Sequence, residues 1–310
     1  MADEVVQFGR AFSLIVFGAD LEGLDLSELR CKFVVKRSDT MTPNIADIRI
    51  YNLEEKTALR IRSEFKRVIL QAGYEGNYGV IFQGNIKQVI LGRESATDTF
   101  VDIVAGDGER AYNFAVVNAT IAAGGSQADQ VQAAIAAMGS RGVTAGHLGE
   151  FPPEKLTRGK VMYGNARNYL RDAAQNSDKT WSIQDEKITF VSKKSYLPGE
   201  RVVLNSKTGM VGAPQQTNEG VNVKCLLNPM IKIGGRIEIN NASIQRLKIN
   251  LSVPLSPINI PAPLTADGVY YVLVAEHQGD TRGVEWYTNL ICLNIDVTSN
   301  PINAVQTNYG

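Results

Sequence analysis

Two histidines, His147 and His277, stand 130 residues apart in a chain of 310. His147 falls in a glycine-rich connector and His277 in an apolar strand-like run. Neither has neighbours at the spacing that metal ligation or proton transfer needs. Ser206-Lys207-Thr208-Gly209 has the residue types of a phosphate loop. Its glycine follows Lys-Thr, however, and the glycine required five residues before a Gly-Lys is missing, so it reads as a turn. Gly106-Asp107-Gly108-Glu109-Arg110 groups carboxylates with glycines, as an anion nest or cation site would. It sits where the texture of the chain changes, and a domain-crossing turn is the better reading. Glu150 and Glu154, flanking Phe151-Pro152-Pro153, are the carboxylate pair that glycoside hydrolysis would use. Acidic residues are common in connectors, and Trp181, Trp286, Tyr270 and Tyr271 read as core or interface anchors more than sugar platforms. We assign no catalytic residue, no cofactor and no metal site, and expect the chain not to be an enzyme.

The elements that surround these residues are mostly strands. Arg10–Val16, Leu29–Lys36, Ala46–Asn52, Arg67–Tyr74, Val80–Leu91 and Thr99–Ala105 alternate or run apolar between polar turns. One helix, from an Asn52 N-cap with Glu55 at the capping-box position to about Ser63, interrupts them. The set reads as a small β-barrel or sandwich. Beyond Asp107-Gly108, an Ala-rich helix over Asp129–Met138 is capped by Ser126 and ended by Gly139, and a second spans Ala166–Gln175. A hairpin follows, Thr180–Ile183 and Lys187–Val191 around Asp185-Glu186. Strand-like runs resume at Arg201–Asn205, Val221–Leu227, Arg236–Asn240, Ser243–Ser252, Gly268–Glu276 and Val284–Asp296, broken by the Pro-rich loop Pro254–Pro263. The expected division is a first β-barrel domain at 1–112, an α+β insert at 113–198, a second β-barrel domain at 199–296 and a polar tail at 297–310.

Composition narrows the class. Lys plus Arg and Asp plus Glu both number 32, so no net field favours tight binding of nucleic acid. The start MADEVVQFGR has no apolar run flanked by basic residues, and no run approaches transmembrane length, so neither a signal peptide nor an integral membrane segment is expected. Cys31, Cys225 and Cys292 are dispersed in apolar runs and read as buried thiols.

The two β regions echo each other. IRIYNL (48–53), RVILQAGY (67–74), GVIFQGNIKQV (79–89) and TFVDIVAGD (99–107) stand in the same order as VKCLLNP (223–229), RIEINNA (236–242), GVYYVLVAEHQ (268–278) and WYTNLICLNI (286–295). We read this as an internal duplication. With NSKTGMVGAPQQTNEGVNVKCLLNP opening the second region and RGKVMYGNARNYLRDAA and WSIQDEKITFV in the insert, the chain resembles the baseplate hub proteins of contractile-tailed bacteriophages. The resemblance covers roughly residues 10–296 and carries no catalytic signature.

The resemblance implies a homotrimeric ring in which each chain gives two tube-like barrels, making a pseudo-sixfold hub. Such a hub joins the tail tube protein to the central spike protein and leaves a channel for the tape measure protein and DNA. Baseplate wedge proteins are further partners, and the implied place is the virion tail baseplate, assembled in the host bacterial cytoplasm. A hub with cell-wall lytic activity and the hub of a cellular contractile injection system are the alternatives. The expected interface residues are Ser206, Lys207, Thr208, Gly209 and Met210, then Pro254, Pro257, Pro261 and Pro263 in the Pro-rich loop, and Asn300 and Pro301 in the tail. Loops of this kind carry little core pattern and gain order on a partner.

Overall fold

The computed structural model describes residues 8–18, 23–217, 220–244, 264–265 and 268–295. Part of the expected strand Ser243–Ser252, the loop Pro254–Pro263 and the tail from 297, with Asn300 and Pro301, lie outside the described residues.

The first β region holds β1 (Arg10–Gly18), β2 (Gly23–Asp25), β3 (Cys31–Ser38), β4 (Ile45–Tyr51), helix α1 (Glu55–Glu64), β5 (Phe65–Tyr74), β6 (Asn77–Arg93) and β7 (Thr99–Gly106). Side chains alternate across a pleated strand, so every second residue faces the core. Cys31, Phe33 and Val35 on β3, Ala46, Ile48 and Ile50 on β4, and Val101, Ile103 and Ala105 on β7 are all buried in one cluster. Helix α1 lays Ala58 and Ile61 on the same core. The expected N-cap is not found there: Glu54 precedes the helix without a side-chain cap. Asn52 has φ +54 and uses its amide across the sheet, accepting from Thr99 N at 3.0 Å and donating to Asp98 at 3.2 Å.

The insert follows as α2 (Glu109–Phe114), β8 (Val116–Ile121), α3 (Gln127–Gly139), β9 (Thr144–Ala145), β10 (Lys160–Asn165), α4 (Ala166–Asn176), β11 (Lys179–Gln184) and β12 (Lys187–Ser192). The Ser126–Asp129 capping box starts α3 as its spacing implies. Helices α3 and α4 pack Val131, Ala134, Met138, Leu170 and Ala174 around Trp181 and Phe190 of the β11–β12 hairpin. β8 and β10, neither of them among the expected strands, pair antiparallel.

The second β region holds β13 (Val202–Leu204), β14 (Gln215–Thr217), β15 (Gly220–Leu226), β16 (Arg236–Ile239), β17 (Val269–Asp280) and β18 (Trp286–Leu293). The two regions are one 13-stranded sheet, ordered β14-β15-β18-β17-β3-β4-β7-β6-β5-β1-β2, with β16 also on β17 and β13 on β16. Mainly β with a small α+β insert is therefore correct, but the two β-barrels are not: among the described strands no sheet closes on itself. The physical reason is the partner of β3. Its outer edge would have to close the first barrel, and it is occupied by β17 of the other region. Sequence periodicity shows which face a strand buries and says nothing about which strand lies beside it.

The order β4-β7-β6-β5 recurs as β15-β18-β17-β16, antiparallel at each step. In both copies the third strand bulges against its neighbour, between Ile86 and Gln88 and between Val272 and Val274. Superposing the registers sets Ile48 on Val223, Arg67 on Arg236 and Thr99 on Trp286, the spacing of the sequence echo. In the strand with the bulge the echo slips by three residues, since Ile86 falls on Val272 and not on Ala275.

The seam between the regions is tightly packed. Trp286 lies in the first region's core, with its ring centroid 5.4 Å from Phe33 and 6.3 Å from Phe12, and its indole N–H donates to Gly73 O at 3.0 Å. Gly279 lies between these rings; a Cβ there would come within 2.5 Å of Phe33 and 2.7 Å of Trp286. Overpacking of this kind costs about 1–3 kcal/mol. Gly279→Val should therefore lower the urea midpoint by that equivalent, and an unchanged midpoint would mean that the seam is loosely packed.

Candidate assembly interface

Among the described residues the candidates singled out by sequence do not converge on one loop, and the features described next are the edges of the long sheet and what holds them in place. The in-chain seam comes first. β3 and β17 pair from Ser38 with Val274 to Lys32 with Asp280. At one end the Arg30 guanidinium grips the Asp280 carboxylate at 2.9 and 3.3 Å. At the other, Asp39 accepts from the Tyr271 hydroxyl and from Thr180 Oγ1 (2.8 Å), so one carboxylate ties both β regions and the insert. Burial pushes the Asp39 carboxyl up to about 6, against those two hydrogen bonds.

The insert is fastened by the tip of its hairpin. Asp185 and Glu186 turn the chain with φ +54 and +59, a backbone region that is costly outside glycine. Their amides donate to the two oxygens of Asp107 at 2.7 and 2.8 Å. Arg37 reaches Asp185 at 2.9 Å, Asn44 donates to Ile183 O at 2.9 Å, and Arg67 and Gln83 both donate to the Glu186 carboxylate. The carboxylate of Gly106–Arg110 thus serves as a bracket within the protein and not as an ion site. Burial pushes Asp107 up to about 7, while the Glu186 amide and Arg37 pull it down.

The other residues singled out by sequence fall into place around this frame. His277 is fully buried in β17, its Nδ1 2.9 Å from Thr288 Oγ1. The Thr288 hydroxyl also accepts from Asn228 N at 3.2 Å, and the tautomer of the ring sets which of Nδ1 and Oγ1 donates to the other. Burial, with Arg37 and Lys232 adding, pushes the imidazole down to about 3. Glu150 and Glu154 are exposed on the connector, and Trp181, Trp286, Tyr270 and Tyr271 are buried. All three cysteines are buried and unpaired. Among the described residues no group of three or more His, Cys, Asp or Glu could hold a metal.

Ser206–Gly209 forms a turn closed on itself. Asn205 Oδ1 accepts from the amides of Lys207 (2.8 Å) and Thr208 (3.1 Å), and Thr208 Oγ1 donates to Val203 O at 2.7 Å. The Lys207 and Thr208 amides, which a phosphate cradle would need, are spent inside the turn. Met210 then bridges to Cys225, and Gln215–Thr217 pairs with β15, so this stretch is one outer edge of the sheet.

Two surfaces were not read from sequence. β6 outruns β5: Gln88–Arg93 pair with β7 on one side and with no described strand on the other. The β8–β10 ribbon exposes Val116, Val161 and Tyr163. The short apolar run Val161–Tyr163 could have marked the ribbon, whereas a half-paired strand leaves no mark in its own sequence.

The fold is that of phage tail proteins. The structure matches the 43 kDa tail protein of prophage MuSo2 from Shewanella oneidensis at 6% identity and TM-score 0.57, over 92% of this chain and 98% of that one. A tail protein from Neisseria meningitidis MC58 matches at 9% identity and 0.57, over 93% and 97%. The E. coli c3393 protein, a type VI secretion component described as similar to the T4 tail proteins gp27 and gp5, matches at 10% and 0.52, over 85% and 73%. More particularly, the family described as Baseplate hub gp41 matches residues 157–244, from the insert into the second β region. No curated protein matches the chain in sequence.

Two outcomes follow from the buried groups. Asp107→Asn keeps one carbonyl oxygen for two turn amides, leaving one facing an amide donor, and should cost about 1–3 kcal/mol by thermal melting. For His277 the folded value lies below the ordinary 6.5, so its contribution is fully present above that pH and lost as pH falls toward about 3. Urea midpoints taken from pH 7 to 4.5 should fall more steeply for the native chain than for His277→Gln, by on the order of 2 kcal/mol. Parallel slopes would show that the fold does not lower the His277 value.

Proposed function

We propose that the protein is the structural hub of a phage-type tail baseplate, acting without enzymatic activity. The observation that carries this reading is the repeated order β4-β7-β6-β5 and β15-β18-β17-β16 within one continuous sheet. Ring closure needs near-equivalent surfaces, and two copies of one module per chain give six such surfaces from three chains. A homotrimer of pseudo-sixfold form then meets a sixfold tail tube on one face and a threefold spike on the other, around a channel for the tape measure protein and DNA. Residues 1–112 and 199–296 act as the two ring modules, and 113–198 as an insert offering a surface to wedge proteins. The family match and the shared fold of tail proteins support this reading.

Ser206, Lys207, Thr208, Gly209 and Met210 lie beside the outer edge of the sheet, where a neighbour would dock. Pro254, Pro257, Pro261, Pro263, Asn300 and Pro301 remain proposed contacts for the spike or tube. Light scattering of the purified chain should give a trimer, three times 33.8 kDa, or a monomer that trimerises only with its spike. A stable dimer would overturn the hub. Ser206→Asp with Lys207→Asp, both exposed in the single chain, should abolish the trimer and leave the circular dichroism of the chain unchanged; an intact trimer would make the stretch an internal turn only.

A further inference from the structure

We infer that the seam between copies in this ring is a shortened repeat of the seam inside each chain: β14 of one copy pairs antiparallel with the free edge of β6 in the next. The inference rests on the ring reading and names the strands and their register.

One edge of β17 is shared by two strands. β16 pairs with Val269–Tyr271, and β3 with Val274–Asp280, the change falling at the bulge. β6 stands in the place of β17 in the first module, and its early half is taken by β5 as that of β17 is taken by β16. Its late half, past the corresponding bulge, pairs with β7 on one edge and has no strand on the other among the described residues. The missing strand is the one that stands where β3 stands. In the second module that strand is β14, which pairs with β15 as β3 pairs with β4. Within one chain β14 and β6 lie far apart along the sheet order, so the partner is a second copy of this chain.

The registers carry over residue by residue. Thr217 opposes Gly220 as Lys36 opposes Ile45, so Thr217 takes the place of Lys36. Ile90 opposes Asp102 as Glu276 opposes Asn289, so Ile90 takes the place of Glu276. Since Lys36 pairs with Glu276, the between-copy pairs are Thr217 with Ile90, Gln216 with Leu91 and Gln215 with Gly92. Ile90 is 43% exposed in the single chain, an unusual place for isoleucine on a long strand and one that such a seam covers. Lys87 and Arg93, both exposed, bracket the open segment, as charges do where an edge must not pair out of register. The in-chain seam carries an ion pair at this position, Lys36 with Glu276 at 4.0 Å, whereas Thr217 and Ile90 are uncharged. The between-copy seam is thus the shorter and less charged of the two, suited to forming after the chain has folded.

Cysteine pairs in the full chain test this under copper–phenanthroline oxidation, read on non-reducing gels beside light scattering. Thr217→Cys with Ile90→Cys should give a covalent trimer. Lys36→Cys with Glu276→Cys should consume both thiols with no change of mass, and Thr217→Cys with Leu91→Cys, on opposite faces, should not cross-link. A chain that trimerises while Thr217/Ile90 gives no link, or while Thr217/Leu91 links equally well, overturns the seam and leaves the ring standing. A chain that never trimerises, alone or with its spike, overturns the ring, and the seam falls with it.

Discussion

The β3–β17 ladder makes one object of what would otherwise be two. Seven residue pairs from Ser38–Val274 to Lys32–Asp280 join strands more than two hundred residues apart in sequence. Trp286 enters the first region's core across that line, and Arg30 and Asp39 close its two ends with carboxylate contacts. Every other relation between the regions follows from it. It fixes the angle at which the second module continues the first, and it removes the edge that β3 would need to close a barrel. It also carries the insert, because Arg37 on β3 and Asp39 just beyond it both contact the β11–β12 hairpin.

The insert is held by polar contacts at one turn and by apolar packing elsewhere. Asp107, at the end of β7, accepts both amides of a turn built from two residues with positive φ. Such a turn is stable only where its surroundings overdetermine it, and here Arg37 holds Asp185, Asn44 holds Gln184, and Arg67 and Gln83 hold Glu186. Tyr271 and Leu273 of the second region pack against Val191 on the other side of the hairpin. The insert therefore sits where the two modules meet, bracketed by both.

Much of this was legible in the residues. The strands with clear alternation, the Ser126–Asp129 helix start and the Asp185–Glu186 hairpin stand where their patterns place them, because each rests on neighbours in sequence. The echo between the β regions held its spacing in three strands and slipped by three residues along the strand that carries the bulge, which only the pairing reveals. Asn52 has the spacing of a cap but spends its side chain across the sheet on Thr99, and the barrels failed for the same kind of reason. Both depend on contacts between distant segments. The edge turn Ser206–Met210 was singled out by its loop composition, whereas the open half of β6 looks in sequence like any buried strand.

The ladder also sets an order of events during synthesis. β3 is made more than two hundred residues before β17. Until β17 follows, the first module must persist with an exposed edge on β3, and another on the late half of β6, a state open to pairing with the wrong chain. Non-local strand pairing is slow because a long loop must close first. Lys32, Lys36 and Arg37 on the waiting strand give it a positive charge that discourages like edges from meeting. The native partner answers with Glu276 and Asp280, so the same residues that hold the finished sheet also guard the nascent one.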